Sequence, residues 1–285
     1  MIEVQSVTYT YPRQAEPALR DISFDIRRGE IFGFLGPSGA GKSTTQKLLI
    51  GLLKGYQGSA QVLGREVSEW GPDDYERIGV AYEFPYFYER YTAKENLNWF
   101  GSLYRKPSES PEQLLARFGL EEAANRKVGQ FSKGMKMRLN VCRAMQHEPE
   151  LLFLDEPTSG LDPVSAQQMK EQIVACKAKG QTVILTTHNM AAAEQLCDRV
   201  AFVTDGRIRL IDTPRQLKLK YGARRVTVEH RERGGVLVAE HFELDGLGDH
   251  ERFLALLRTG QVETLHSQET TLERIFIEVT GRGLQ

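Results

Sequence analysis

The chain lacks both a strong net charge and a long apolar segment. Its 285 residues carry a formal net charge of −1, so its overall field favours neither nucleic acid nor anionic lipid. No apolar run approaches the roughly eighteen residues that a membrane-spanning helix needs. The opening residues, MIEVQSVTYTYPRQ, do not have the pattern of a secretory signal, and we therefore do not expect a cleaved leader.

Cysteine is also scarce. Cys142, Cys176 and Cys197 are the only three, and they form neither a CxxC pair nor a plausible disulfide framework. We therefore expect a reducing, cytosolic compartment. The apolar fraction of 40% and the charged fraction of 26% are typical of a soluble globular protein, and the length allows one large domain with a smaller one.

The apolar residues that are present predict an α/β fold. IEVQSVTYTY and ISFDI alternate apolar and polar residues, as half-buried strands do. IFGFLG, IGVAY, LLFLDE and TVILTTH are short apolar runs typical of a parallel sheet covered on both faces. Helices are predicted from Lys42 to about Leu53 and from Pro163 to Lys179, and VAFVTDGRIRLID predicts a hairpin that turns at Asp205-Gly206.

The same patterns predict two domains, residues 1–222 and 223–285. Within the first, about residues 84–149 are mostly helical, and we interpret them as a helical subdomain inserted into the α/β core. The second has the order strand, strand, helix, strand, which predicts a small α+β unit. From Ala223 onward it has eight basic and eleven acidic residues, so we do not expect it to bind nucleic acid.

The strongest functional motif follows the strand IFGFL and opens a helix. It matches G-x-x-x-x-G-K-[ST], the P-loop pattern, in which backbone N–H groups and a helix N-terminus hold phosphate. Lys42 is expected to reach the β- and γ-phosphates, and Ser43 to ligate Mg²⁺. The predicted nucleotide-binding residues of this loop are Gly36, Pro37, Ser38, Gly39, Ala40, Gly41, Lys42, Ser43 and Thr44.

Acidic and imidazole groups follow two later strands. LLFLDEP ends in Asp155, which suits Mg²⁺, and Glu156, which is placed to polarise an attacking water; alone, such a pair is more often a solvated strand end. His188 ends TVILTTH, and ligands of doubly wound sheets gather at strand C-termini. A contact with the γ-phosphate is therefore predicted, although a histidine there is often structural. Tyr11 could stack on a base or serve only for packing.

A second stretch, QFSKGMKMRLN, also has the features of an anion-facing helix start. Ser132 can cap the helix, and Gly134 lets another backbone or a phosphate come close. One chain would then carry two phosphate-facing helix starts about ninety residues apart.

Taken together, these motifs resemble the ATP-binding subunit of ABC transporters over about residues 1–220. GPSGAGKST resembles Walker A, LLFLDE Walker B, FSKGM the family signature and SGLD the D-loop that ends at Asp162. Tyr11 and His188 occupy the places of the adenine-stacking aromatic and the switch histidine. SKGM variants are familiar among exporter subunits that work with separate membrane polypeptides. The resemblance implies a P-loop NTPase (RecA-like) core with an N-terminal antiparallel β subdomain.

The resemblance also implies the mechanism and the partners. Two cassettes, a second copy or a paralogous one, would pair head to tail, so that each ATP lies between one Walker A and the partner's Ser132 and Gly134. ATP and Mg²⁺ are the implied cofactors, Glu156 the general base and His188 the γ-phosphate sensor. Glu83 stands where the family usually has its Q-loop glutamine, and a carboxylate there could also hold Mg²⁺ or water.

The segment from Tyr82 to Tyr104 is rich in aromatic residues. In the family this region receives a short helix of the membrane subunit, so we expect some of these rings to line a docking groove near Phe84–Tyr104, on the cytoplasmic face of the membrane. The nine are Tyr82, Phe84, Tyr86, Phe87, Tyr88, Tyr91, Trp99, Phe100 and Tyr104.

Three other functions are alternatives to an exporter motor, and the sequence argues against each. A soluble ABC-type ATPase of translation would carry two cassettes, and one of DNA repair would carry a long coiled coil. A non-enzymatic nucleotide-binding regulator should lack Glu156 or His188. A P-loop kinase or GTPase would not have the signature and the D-loop. The transported substrate and the role of the C-terminal unit do not follow from the sequence.

Overall fold

The computed structural model describes residues 1–105, 109–222, 225–231, 235–267 and 270–283. The strands are β1 Ile2–Tyr9, β2 Leu19–Ile26, β3 Ile31–Leu35, β4 Gln57–Val62, β5 Arg65–Glu66, β6 Ile78–Ala81, β7 Leu151–Asp155, β8 Thr182–Thr187, β9 Arg199–Thr204, β10 Arg207–Asp212, β11 Arg225–Arg231, β12 Leu237–Glu243 and β13 Val262–Ser267. The α-helices are α1 Lys42–Leu49, α2 Pro72–Tyr75, α3 Ala93–Gly101, α4 Pro111–Arg117, α5 Lys133–Met145, α6 Pro163–Ala178, α7 Met190–Leu196, α8 Pro214–Tyr221, α9 Glu251–Thr259 and α10 Leu272–Thr280.

The central sheet has six strands in the order β10-β9-β3-β8-β7-β6. β9, β3, β8, β7 and β6 run parallel, and β10 pairs with β9 in the antiparallel sense. The four apolar runs predicted as parallel strands are β3, β6, β7 and β8, so the α/β prediction is confirmed. Because parallel strands end at the same edge, the segments that follow β3, β7 and β8 meet there.

A second sheet, in the order β2-β1-β4-β5, is antiparallel. Its alternating strands β1 and β2 are half-buried, as predicted. Its buried face shares one core with the central sheet, in which the Phe24 ring lies 5.2 Å from that of Phe34. The N-terminal antiparallel sheet is therefore packed against the strand that leads into the P-loop.

The predicted positions of the β9–β10 turn and of α6 are confirmed to within one residue, whereas the predicted end of α1 is wrong. The hairpin turns at Asp205 and Gly206, both with positive φ, as predicted. α6 begins at Pro163 and ends one residue before the predicted limit, Lys179. α1, however, ends at Leu49 rather than near Leu53, because Gly51 takes the left-handed conformation (φ +73°) that terminates helices.

The predicted helical region contains α3, α4 and α5, whose buried faces join the same core as β6, β7 and β8. α5 follows the signature-like sequence and lies along β6. The three cysteines are buried free thiols, and burial raises the pKa of each. Within the described ranges, no helix combines the length and apolar character needed to cross a bilayer.

The C-terminal residues form the predicted strand, strand, helix, strand. β12, β11 and β13 make a separate antiparallel sheet, and α9 covers it over a small core of its own. The final helix, α10, does not join that core. Leu272, Ile275 and Phe276 are buried in the core of the large sheet, where the Phe276 ring lies 5.1 Å from that of Phe202.

Candidate functional site

The P-loop connects β3 to α1 and lies against the end of β9. A Cβ atom at Gly36 would stand 2.2 Å from the carbonyl oxygen of Val203, so only glycine fits there. Gly41, the N-cap of α1, has φ +111° and no side-chain cap. The sequence therefore places glycine where the backbone is crowded or left-handed, and it leaves the first N–H groups of α1 without a side-chain acceptor.

The side chain of Lys42 is buried beneath this loop. Its Nζ donates to the carbonyl oxygens of Gly36, at 2.6 Å, and Pro37, at 2.9 Å. Burial lowers the pKa of Lys42, and the carboxylates of Glu156 and Asp155 oppose that shift. The ammonium is therefore held against the backbone of the loop, close enough to Glu156 and Asp155 for their charges to act on it.

Asp155 ends β7 directly opposite Thr186 of β8. The Thr186 hydroxyl and the backbone N–H of Glu83 donate to its carboxylate. Burial nevertheless raises the pKa of Asp155, because a charged carboxylate loses solvation there. Such a group gains from a cation, and its position beside the P-loop suits a ligand of Mg²⁺.

Glu156 and His188 form a direct pair. Glu156 is 7% exposed and has φ +48°, an uncommon conformation for a residue other than glycine. Its Oε1 accepts from the backbone N–H of His188 at 2.9 Å and from Nδ1 of the same residue at 2.7 Å. Its Oε2 accepts from the Thr187 hydroxyl at 2.9 Å. The carboxylate is thus oriented by three donors.

The hydrogen bond between Glu156 and His188 orients the imidazole as well as the carboxylate. An ionised carboxylate can only accept, so Nδ1 of His188 carries a proton in this contact. The side chain of His188 is 58% exposed, which leaves its other nitrogen accessible. The sequence predicted a γ-phosphate contact for His188 but missed its bond to Glu156. It also missed the roles of Thr186 and Thr187, although two hydroxyls at the end of an apolar strand were a usable signal.

Two further predicted residues lie at the same site. The carboxylate of Glu83 is close enough to oppose the lowered pKa of Lys42, and its backbone contacts Asp155. The Tyr11 hydroxyl lies 3.2 Å from that of Thr44 at the end of the P-loop. The Tyr11 ring packs edge-on against Tyr9, with centroids 5.0 Å apart. Packing and nucleotide contact are therefore compatible roles for Tyr11.

Ser132, Gly134 and Asp162 form a second group. The Ser132 hydroxyl caps α5 by accepting from the Met135 N–H at 3.2 Å. A Cβ atom at Gly134 would lie 3.2 Å from Cδ2 of Leu161, which places the signature-like turn beside the D-loop. Asp162 caps α6, and its hydrogen bonds with Ser165 and Val164 lower the pKa of its carboxyl group.

The structure does not join these two groups within one chain. Over the described residues, no hydrogen bond or ion pair connects the P-loop, residues 36–44, to residues 132–135. Nor is there, over the same residues, a cluster of three or more His, Cys, Asp or Glu side chains that could hold a metal ion. The set Ser43, Asp155 and Glu83 fits Mg²⁺ only if water and phosphate complete its shell, which is how Mg²⁺ is usually held.

Some rings of the aromatic segment Tyr82–Tyr104 pack inside the protein, and others are exposed to solvent. Phe87 packs against the core, and Tyr104 stacks on His147 with ring centroids 3.7 Å apart. Phe84 and Tyr86 are 68% and 85% exposed. Tyr88, Tyr91 and Trp99 are also exposed. Tyr88 packs against Tyr91 and Trp99, and the five exposed rings all follow Glu83 in the chain.

Two family models match the sequence. The model described as "ABC transporter" matches residues 19–159, and the model described as "Fluoroquinolone efflux ABC transporter C-terminal domain" matches residues 224–269.

Curated relatives match over nearly the whole length. The fluoroquinolones export ATP-binding protein of Mycobacterium tuberculosis is 56% identical over 284 residues, which cover 100% of this chain and 94% of that protein. The Nod factor export ATP-binding protein I of Burkholderia lata is 35% identical over 93% of this chain and 92% of its own.

Solved structures agree with the fold. An ATP-binding subunit of an ABC transporter matches with a TM-score of 0.70 at 32% identity, over 78% of this chain and 93% of its own. A dimeric ATP-binding cassette in a post-hydrolysis state, bound to ADP and Pi, matches with a TM-score of 0.66 at 25% identity, over 75% of this chain and 98% of its own.

Proposed function

Because this chain belongs to the ABC transporter family, as an ATP-binding and ATP-hydrolysing subunit of the export type, we propose a specific mechanism, partner and substrate class for it. The observation that carries the mechanism is the placement of buried Glu156, bonded to His188, beside the P-loop lysine. The substrate class rests on the relatives.

The nucleotide site is formed by the P-loop. Its backbone N–H groups, together with Lys42, bind the phosphates of ATP, and Thr44 lies beside Tyr11, whose ring faces the base. Ser43 and Asp155 would hold Mg²⁺, and Glu83 would contribute an oxygen directly or through water. An ion held there would neutralise phosphate charge and would favour the ionised form of Asp155, whose pKa burial raises.

Glu156 acts as the general base that activates the attacking water. Its three donors hold the carboxylate in one orientation, which positions it before the nucleotide arrives. His188 contacts the γ-phosphate by donating a hydrogen bond from Nε2–H, while Nδ1–H continues to donate to Glu156. Positioning and charge stabilisation supply most of the catalysis, as in phosphoryl transfer generally.

Two cassettes complete each site by pairing head to tail. Ser132, Gly134 and Asp162 lie together but apart from the chain's own P-loop. A second copy, or a paralogous cassette, would bring its own signature group over this chain's ATP. The dimeric cassette among the structural relatives supports such pairing, and an isologous dimer then contains two identical sites.

The transport partner is a separate integral membrane protein that docks near Phe84–Tyr104. The exposed rings beside Glu83 support this location, since aromatic residues dominate the energetics of interfaces. The chain would then be held peripherally on the cytoplasmic face of the membrane.

Residues 1–222 form the ATPase domain, with residues 84–149 as its helical subdomain, and 223–285 form an accessory unit. The accessory sheet has its own core, whereas α10 packs on the ATPase domain and so ties the two together. The match of residues 224–269 to an efflux-specific model supports a role for this unit in export.

We expect fluoroquinolone-like drugs to be transported, on the strength of the 56% identity. The test is drug uptake into inverted vesicles that contain this chain and its membrane subunit. ATP-dependent uptake that requires both proteins supports the proposal. Uptake unchanged when this chain is omitted would contradict it, and a membrane partner that copurifies but moves other compounds would change only the substrate.

A further inference from the structure

The turn between β9 and β10 lies directly against the P-loop. The backbone N–H of Gly206 donates to the carbonyl oxygen of Ala40 at 2.9 Å, and its carbonyl oxygen accepts from the backbone N–H of Arg20 at 2.8 Å. A Cβ atom at Gly206 would stand 2.4 Å from the carbonyl oxygen of Ala18. The turn is therefore held between the P-loop and the start of β2, so that a shift of the turn also shifts Ala40.

The end of β9 touches the P-loop as well. The carbonyl oxygen of Val203 leaves no space for a side chain at Gly36, the first residue of the loop. Residues 202–206 therefore contact the P-loop at Gly36 and again at Ala40. A displacement of this stretch reaches the backbone whose N–H groups face the phosphates in the proposed nucleotide site.

The C-terminal segment holds the same stretch at both of its ends. Phe276 of α10 is fully buried, and its ring lies 5.1 Å from that of Phe202. α10 ends at Gly281, which is left-handed with φ +68°. Arg282 then lies at the turn, where its Nη1 donates to Oδ1 of Asp205 at 2.6 Å. One helix thus packs on the strand, and the residue beyond it binds the turn.

The ion pair between Arg282 and Asp205 is a surface contact. The two side chains are 58% and 44% exposed, and exposed ion pairs add little to the free energy of unfolding. Its place in the fold gives it another effect, because Asp205 precedes the residue that bonds to the P-loop. The groups of a binding site must be held to within about 0.5 Å, so a weak contact that fixes this turn can still change ligand affinity.

We propose that α10 and Arg282 position the P-loop for ATP, and that Arg282 is a positioning residue that acts through Asp205 and Gly206. The inference rests on the proposed nucleotide site, since it concerns the loop assigned to the phosphates. α10 follows the accessory sheet in the chain, so this helix also connects that sheet to the nucleotide site. Because linkage is reciprocal, ATP on the loop should stabilise the docked position of α10.

The first experiment measures equilibrium binding of a non-hydrolysable ATP analogue with Mg²⁺ to the full chain. Arg282→Met keeps the apolar stem and removes the charge, and we expect the Kd to rise about two- to fivefold, the scale of one exposed ion pair. Arg282→Lys keeps the charge and should bind nearly as wild type does. Arg274→Met is the matched control, because Arg274 is exposed on the same helix and its side chain has no partner among the described residues.

Steady-state hydrolysis separates positioning from a general loss of structure. We expect Arg282→Met to raise the KM for ATP by the same factor and to leave kcat within about twofold of wild type, because Glu156 and His188 keep their contacts. The midpoint of chemical denaturation should stay close to that of wild type. A fall in kcat with unchanged KM and Kd would overturn positioning of the P-loop.

A double-mutant cycle tests whether the two side chains act through one contact. Asp205→Asn removes the charge and keeps a residue type that tolerates the positive φ of this turn, +51°. In that background, Arg282→Met should cause no further rise in Kd. Additive rises from the two substitutions would overturn the path through Asp205.

Hydrogen exchange tests the reverse direction of the linkage. The ATP analogue should slow exchange at the backbone amides of α10 in the wild-type chain, because a bound loop stabilises the docked helix. The slowing should be smaller in Arg282→Met. Amides of α10 that exchange at the same rate with and without the analogue would overturn the linkage.

The outcomes separate the inference from the site on which it rests. A Kd of Arg282→Met equal to that of wild type, or an equal rise in Arg274→Met, would overturn the inference and leave the nucleotide site standing. Analogue binding that Lys42→Ala leaves unchanged would instead overturn the proposed nucleotide site.

Discussion

Helices α1 and α5 both begin in a way that suits an anion, but their first turns differ in chemistry. α1 starts at Gly41, which has no side-chain cap, and the lysine behind it lies near Asp155 and Glu156. α5 starts at Ser132, whose own hydroxyl takes the Met135 N–H. In the first case the donors are left for a ligand. In the second they are partly satisfied, with no catalytic acid bonded to them among the described residues.

In the proposed mechanism this difference gives each helix start its own role. The start of α1 would carry the groups for binding and hydrolysis, whereas the start of α5 offers a hydroxyl, a close-approach glycine and a positive helix end. We therefore expect the start of α5 to complement a nucleotide held by the partner cassette. The predictions below test whether each helix start has the role assigned to it.

The largest effect is expected from Glu156→Gln on the α1 side. General-base catalysis contributes about 10²–10⁴-fold, so turnover should fall by that order while ATP still binds. Phosphate release and equilibrium binding of ATP with Mg²⁺ measure the two quantities. Glu148→Gln, at an exposed position, is the control. Near-normal turnover in Glu156→Gln would remove this residue from the role of base.

Mixing two inactive variants tests the α5 side in trans. Ser132→Arg should block closure over the partner's γ-phosphate, and Lys42→Ala should weaken nucleotide binding, so each homodimer is inactive. In a mixed dimer, one site collects both lesions and the other collects neither. Random mixing should then restore at most about a quarter of wild-type hydrolysis.

Crosslinking of ATP-trapped dimers accompanies that assay, because a dimer with one intact site need not hydrolyse ATP. The mixed sample should form trapped dimers that neither variant forms by itself. If Ser132→Arg alone dimerises and hydrolyses ATP normally, the start of α5 does not face a phosphate, and the head-to-tail arrangement is wrong.

Alanine substitutions at Gly36 in the P-loop and at Gly134 in the first turn of α5 compare the two helix starts directly. At Gly36 the new Cβ would meet a backbone oxygen at 2.2 Å, and we expect a loss of about 1–3 kcal/mol in unfolding free energy. At Gly134 the nearest atom, 3.2 Å away, belongs to the Leu161 side chain, which can move. Stability there should stay within about 1 kcal/mol, while ATP-driven dimerisation falls. Chemical denaturation and gel filtration measure both, and equal destabilisation at the two positions would contradict the assignment.

The smallest effect is expected from Glu83→Gln. Both side chains offer an oxygen at the same reach, so hydrolysis should remain within about tenfold of wild type, far from the 10²–10⁴-fold of a general base. Steady-state turnover at saturating ATP and Mg²⁺ is the measurement. Abolished hydrolysis would make Glu83 an essential carboxylate and would require Glu156 to be reassigned.

Much of the fold was predictable because its signals are local. Four apolar runs became β3, β6, β7 and β8, and the Asp205-Gly206 pair made the turn that its φ preferences require. The end of α1 was predicted too late, because the left-handed Gly51 outweighed the apolar residues beyond it. Helix α10 lies within residues 223–285, the predicted second domain, yet its buried face packs on Phe202 of β9. Sequence order carries no information about which of two cores an amphipathic helix will join.

The sequence by itself determined the phosphate-binding loop, because glycine, lysine and hydroxyl spacing fixes the path of a backbone over a few residues. It also determined which residues end the core strands. Only the tertiary structure decided that Glu156 bonds to His188 and that α10 packs on Phe202 of β9. Those relations join residues that are distant in sequence, and they depend on strand register and on the packing of a helix against a distant strand, which no local pattern specifies.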